Sequence, residues 1–364
     1  MSAITSQPLR GKPESHKVRY IRSLDKLRAI AVLLVLFTHA PLSLLGEWGL
    51  NFRAYVVPGY LGVDIFFALS GFLITRILLK EKQAGATMRS FWIRRAIRIF
   101  PACYLLLAIV WLVSPGPEMI WVATYTSNFY FLGNVPHSPL GHTWSLAVEE
   151  HFYLVWPLLL FGLSRRRAEA TVVLGLIPLS IATAFFVIAK FPNEQLQILS
   201  HVTPARILTL ALGSLLAFHE TSIFRRPWSF CSIGVVGAII GYLWALCGFL
   251  IPALRPYAGL HQLLGLALLS TSILLLFIQA DRLSLPKTTA ILGTPLAYIG
   301  RISYGLYLYH LPIFYALSTT SSSPAESGLA SRTALAIALS FLAASISYYA
   351  FERPLLKWGE RFRG

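Results

Sequence analysis

Arg28 and His39 are separated by ten mostly apolar residues. On a helix that spacing sets the imidazole ~16 Å beyond the guanidinium, at ~1.5 Å of rise per residue. A neutral imidazole accepts a proton from an alcohol, and its ordinary pKa of ~6.5 suits general-base work. The plainer reading makes His39 polar glue between helices. Asp64 follows in Gly62-Val63-Asp64-Ile65-Phe66-Phe67-Ala68-Leu69-Ser70-Gly71-Phe72, a string in which Gly62 and Gly71 allow close helix approach. Within apolar surroundings Asp64 needs an Arg or His partner, so it reads either as functional or as half of an ion pair. Arg95 and Arg98 are three apart and share a helix face, whereas Arg94 points elsewhere. Two such guanidinium groups could clamp phosphate, or they could anchor the chain at lipid headgroups. Trp144-Ser145-Leu146-Ala147-Val148-Glu149 brings a carboxylate that we expect near the outer membrane face. It could orient a histidine from another helix, or it could be an interfacial carboxylate beside an aromatic belt. Finally, Ser303, Tyr307 and His310 follow the i, i+4, i+7 rule and form one polar stripe, for binding or for packing.

Other chemistries fail on spacing. There is no G-x-S-x-G elbow, no phosphate-binding G-x-x-x-x-G-K-[ST] loop and no H-E-x-x-H pair. Cys103, Cys231 and Cys247 stand in apolar context without a C-x-x-C pair. They support neither a disulfide framework nor a metal site, and we predict no metal.

The elements that carry these residues are set by composition. Apolar residues make up 56% of the 364 and charged residues 13%, about half the usual charged share of a soluble domain. Apolar runs near 20 residues recur along the chain, each long enough to cross ~30 Å of hydrocarbon. We predict an all-α integral membrane protein with about ten spans in one bundle. They cover roughly 27–45, 58–79, 99–114, 146–163, 170–189, 203–219, 230–250, 259–279, 297–318 and 331–352. The first is read as a retained helix and not a cleaved signal. The runs are continuous, which argues against a β-barrel. Gly237 and Gly241 form a small-xxx-small pair for helix packing.

Charge sets the orientation. With both termini cytoplasmic and 119–132 left out as an outer-face or re-entrant segment, twenty-five of the 31 Lys and Arg residues fall on the inner side. Counting 119–132 as a span would invert every later loop. The net charge of +16 is therefore a topology signal and an attraction to anionic lipid, not a nucleic-acid footprint. Segments 1–26 and 353–364 are read as a basic cytoplasmic arm and tail around a membrane domain at 27–352.

These motifs, in this order, resemble the acyltransferase-3 family of membrane O-acyltransferases. The resemblance covers about residues 20–357. It rests on Arg28 to His39, Gly62 to Phe72, Arg95 with Arg98, Trp144 to Tyr153, Ser303 to His310, and a terminal Glu352-Arg353-Pro354. It implies transfer of an acyl group, usually acetyl, from cytoplasmic acyl-CoA to a hydroxyl of a carbohydrate or lipid-linked glycan. It implies His39 and Glu149 as catalytic residues and Arg28, Arg95 and Arg98 as donor-binding ones. Asp64, Ser70, Trp144, Ser145, Ser303, Tyr307 and His310 are expected to support or line the site. The expected partners are acyl-CoA, the glycan, membrane lipid and glycan-assembly proteins, with no nucleic acid and no permanently bound cofactor. The expected location is the inner cell membrane, multi-pass. The extra C-terminal hydrolase-like domain of some members is not seen in this sequence. The alternatives are a transporter using His39, Asp64 and Glu149 as an ion path, although no internal repeat marks one, and an acyltransferase for a macrolide-type molecule.

Overall fold

A computed structural model describes residues 20–40, 58–133, 138–281, 290–319 and 329–362. Among them, a helix stands at each predicted position: α1 Ser23–His39, α2 Pro58–Gln83, α3 Met88–Val113, α4 Trp144–Gly162 and α5 Arg165–Lys190. They are followed by α6 Thr203–Phe218, α7 Pro227–Leu250, α8 Ala258–Ala280, α9 Ala290–Thr319 and α10 Leu329–Ile346. Local chemistry sets several starts. Thr87 accepts a hydrogen bond from the Ser90 amide before α3, and Ser164 does the same for Arg167 before α5. Pro204 and Pro227 open α6 and α7, where a missing N–H costs nothing. α3 begins eleven residues ahead of the predicted span, so Arg94, Arg95 and Arg98 ride on its first turns. The predicted residues 41–45 of the first span lie outside the described residues.

Six stretches are long and apolar enough to cross a membrane: α2, α3, α5, α7, the run Pro252–Ala280 and Leu329–Phe362. A seventh joins Gln195–His201 to α6 through a 53° bend. α1, α4 and α9 are not among them. Glu149, Glu150 and His151 lower the hydropathy of α4, and Arg301, His310 and a run of tyrosines do so in α9. The exterior is apolar: Leu112, Val113, Leu174 and Trp228 are each about three-quarters exposed, as lipid-facing positions are. Segment 119–132 folds as two short helices, Glu118–Ala123 and Ser127–Tyr130, too short to span. Ser127 and Asn128 are buried, and Asn128 Nδ2 donates to the His201 carbonyl and to Thr203 Oγ1.

Packing brings the chemistry-bearing helices together. α1 lies against α2 and α9, and α2 against α6. A Cβ on Gly71 would strike the Leu210 carbonyl, and one on Gly213 would strike the Ala68 carbonyl. The α2–α6 contact is thus backbone on backbone, which only glycine permits. Gly241 meets Leu269 and Gly265 in the same way, so the Gly237/Gly241 pair docks α7 on α8.

Candidate active site

A cavity of about 190 Å³ opens between α1, α2, α3, α4 and α9. Its lining includes Arg28, Arg95 and Arg98, with Ser70, Glu149 and Tyr153 and with Ser145, Ser303, Tyr304 and Tyr307. A second cavity of about 290 Å³ shares Ile77, Arg95 and Arg98 with the first and is walled on its other side by Leu356, Gly359 and Glu360. The two arginines therefore stand where the cavities meet. Arg95 lies over the rings of Phe91 and Tyr153, at 5.6 and 5.3 Å from their centroids. Neither Arg95 nor Arg98 has an ion-pair partner among the described residues, whereas Arg28 is held by Asp25 at 2.8 Å. Arg94 does point elsewhere: it pairs with Glu81 and donates to the Phe362 carbonyl at 2.8 Å, tying α3 to α2 and to the C-terminal turn.

The first turns of α4 are enclosed by protein, with Trp144, Ser145, Ala147 and Val148 buried. Tyr153 Oη donates to Ser70 Oγ at 2.9 Å, and Ser70 Oγ donates to Glu149 Oε1 at 2.6 Å. Glu149 therefore accepts from Ser70, whose hydroxyl in turn accepts from Tyr153.

His39 meets a different group. Its Nδ1 lies 3.1 Å from His310 Nε2 and 3.1 Å from the Val35 carbonyl one turn back. His310 Nδ1 donates to the Tyr307 carbonyl at 2.7 Å, and His142 Nε2 donates to the Leu308 carbonyl at 3.1 Å. The ring centroids of His142 and His310 are 5.1 Å apart. Tyr307 Oη gives its one hydrogen to the His142 carbonyl at 2.8 Å, so Ser145 Oγ donates to it at 2.5 Å. The stripe of Ser303, Tyr307 and His310 thus faces inward. Ser303 and Tyr307 line the arginine cavity, while His310 and His39 lie past Tyr307.

The acyltransferase-domain family matches residues 21–351 of this chain. The chain belongs to that family. It is 33% identical over 369 residues to the peptidoglycan O-acetyltransferase OatA of Listeria monocytogenes, covering 94% of this chain and 56% of that protein. It is 29% identical over 373 residues to YrhL of Bacillus subtilis, covering 94% and 56%. The chain spans a little over half the length of these curated relatives. No solved structure matches it.

Within this acyltransferase domain, two motif residues have structural roles. Asp64 is fully buried and paired: Arg206 Nη2 donates to Oδ2 at 3.0 Å and Thr209 Oγ1 to Oδ1 at 2.7 Å. Trp144 covers that pair, with the Arg206 guanidinium 5.6 Å from its ring and 5.2 Å from that of Phe67. Glu352 accepts from Ser347 Oγ at 2.8 Å, and Ser347 meets Tyr309 Oη at 3.0 Å. Sequence reasoning passed over Tyr153 and His142. Tyr153 closes the Trp144 string and His142 stands two residues before it, so both lay within reach of that motif. Their use depends on contacts with α2 and α9, which spacing along α4 does not contain.

Proposed function

We propose that this chain is a membrane O-acyltransferase that moves an acyl group, most simply acetyl, from cytoplasmic acyl-CoA to a glycan hydroxyl. Family membership supports the reaction class, and the name of the Listeria relative supports a cell-wall glycan as acceptor. The topology that goes with it has ten spans, with both termini and the arginine-lined mouth at the cytoplasmic face of the cell membrane. It draws support from the helix at each predicted position and from the inward bias of Lys and Arg.

The observation that carries the donor is the pair Arg95 and Arg98. They are two guanidinium groups without ion-pair partners among the described residues, and both line two adjacent cavities. A donor with a phosphorylated head and a long thioester arm fits that shape. The phosphates stay at Arg95, Arg98 and Arg28, and the arm runs along Ser70 and Tyr153 toward Tyr307. There His39 Nε2 takes the proton of the acceptor hydroxyl, and the oxygen attacks the thioester carbonyl. The C–S bond breaks, and the leaving thiolate takes the proton back from His39. The products are an ester and a free thiol, and no other reactant is consumed.

The test is acetyl-CoA binding to the purified full chain. Each charged hydrogen bond lost to Ala removes about 1.5–3 kcal/mol, so replacing both Arg95 and Arg98 should weaken binding by at least about a hundredfold. Unchanged affinity in a folded double variant would remove these arginines from the donor site.

A further inference from the structure

The proton positions in the histidine pair follow from their neighbours. A carbonyl oxygen only accepts, so His310 Nδ1, 2.7 Å from the Tyr307 carbonyl, carries a hydrogen. In the neutral ring the lone pair is then at Nε2, the atom that faces His39 Nδ1 at 3.1 Å. His39 Nδ1 also faces the Val35 carbonyl at 3.1 Å, so it too carries a hydrogen, shared between two acceptors. The lone pair of neutral His39 is therefore at Nε2. The Val35 contact lies within α1 and turns with it. The His310 contact crosses to α9, where the ring is buried to 1% exposure, so it ties the His39 ring to that helix.

We infer that His310 is the positioning residue of His39, accepting its Nδ1–H and steadying the imidazolium formed when Nε2 takes the acceptor proton. That proton leaves Nε2 again with the departing thiolate, and His310 gains and loses none. A bond from a neutral N–H becomes charge-assisted as the imidazolium forms, so it is worth more in the transition state than before it. This is the office of the third group in a base relay, filled by a neutral histidine on α9 instead of by Glu149. The inference rests on the reading of His39 as base.

The test uses purified full chain with acetyl-CoA as donor and isolated cell-wall glycan as acceptor, and release of free thiol as the readout. Gln at position 310 carries both a donor for the Tyr307 carbonyl and an acceptor for His39. His310→Gln should stay within about threefold of wild-type turnover. His310→Leu should lower kcat about 10- to 100-fold, the scale of a hydrogen bond to a charged group, with the KM for acetyl-CoA unchanged. Wild-type turnover in His310→Leu, or equal losses in folded Leu and Gln variants, would overturn the assignment. A nitrogen-15 spectrum of histidine-labelled wild-type protein gives an independent reading that needs no active variant. The expected state of His39 is protonated at Nδ1, and protonation at Nε2 alone would overturn the pairing. His39→Ala run in parallel separates the two claims: if it keeps full turnover, the base reading falls, while the spectrum still judges the His39–His310 pair.

Discussion

Asp64 and Arg206 offer the sharpest test of how this bundle is held together. Asp64 is fully buried and Arg206 is 2% exposed, with the guanidinium between Phe67 and Trp144. Replacing Asp64 with Leu leaves a buried cation with no counter-ion and deprives Thr209 of its acceptor. Breaking such a pair from one side costs about 3–5 kcal/mol. Arg206→Leu should cost less, because Asp64 keeps its bond from Thr209. The double replacement removes both charges together and should cost less than the sum of the singles, with a coupling of about 1–3 kcal/mol. The assay is reversible unfolding in detergent by titrated denaturing surfactant, with all four proteins compared. The pair lines neither cavity, so acetyl-CoA turnover per folded molecule should hardly change. Additive singles, or singles costing under about 1 kcal/mol, would refute the view that a desolvated pair locks α2 to α6.

Two further outcomes follow from single contacts. Lys82 Nζ donates to the carbonyls of Leu160, Phe161 and Leu163 at 2.6–3.1 Å, closing the end of α4, so Lys82→Met should destabilise the fold by about 1–3 kcal/mol in the same unfolding assay. Glu149→Gln keeps an oxygen for Ser70 and leaves the His39–His310 pair intact, so acetyl-CoA turnover should fall less than about tenfold; a loss equal to that of His39→Ala would return Glu149 to the chemistry.

Much of this arrangement was legible in the sequence because it is written in periodicity. The helix positions follow from runs of apolar residues, and the inward stripe of Ser303, Tyr307 and His310 follows from i, i+4, i+7 spacing. The need of Asp64 for a cationic partner follows from the cost of a bare charge in hydrocarbon, though not which arginine would supply it. What spacing could not give was cross-helix pairing. The place of Glu149 in the first turns of α4 says nothing of which helices pack around it. Its pairing with Ser70 links residues 79 apart, and that of His39 with His310 links residues 271 apart. Such pairs are fixed by how α1, α2, α4 and α9 pack.

The measurement closest to the central claim is acyl transfer by membranes carrying His39→Ala, normalised to inserted protein, with acetyl-CoA as donor and isolated cell-wall glycan as acceptor. A positioned base contributes about 10²–10⁴-fold, so transfer should drop by that factor while acetyl-CoA binding at Arg95 and Arg98 persists. Transfer within a few fold of wild type would contradict the assignment of His39 as the base.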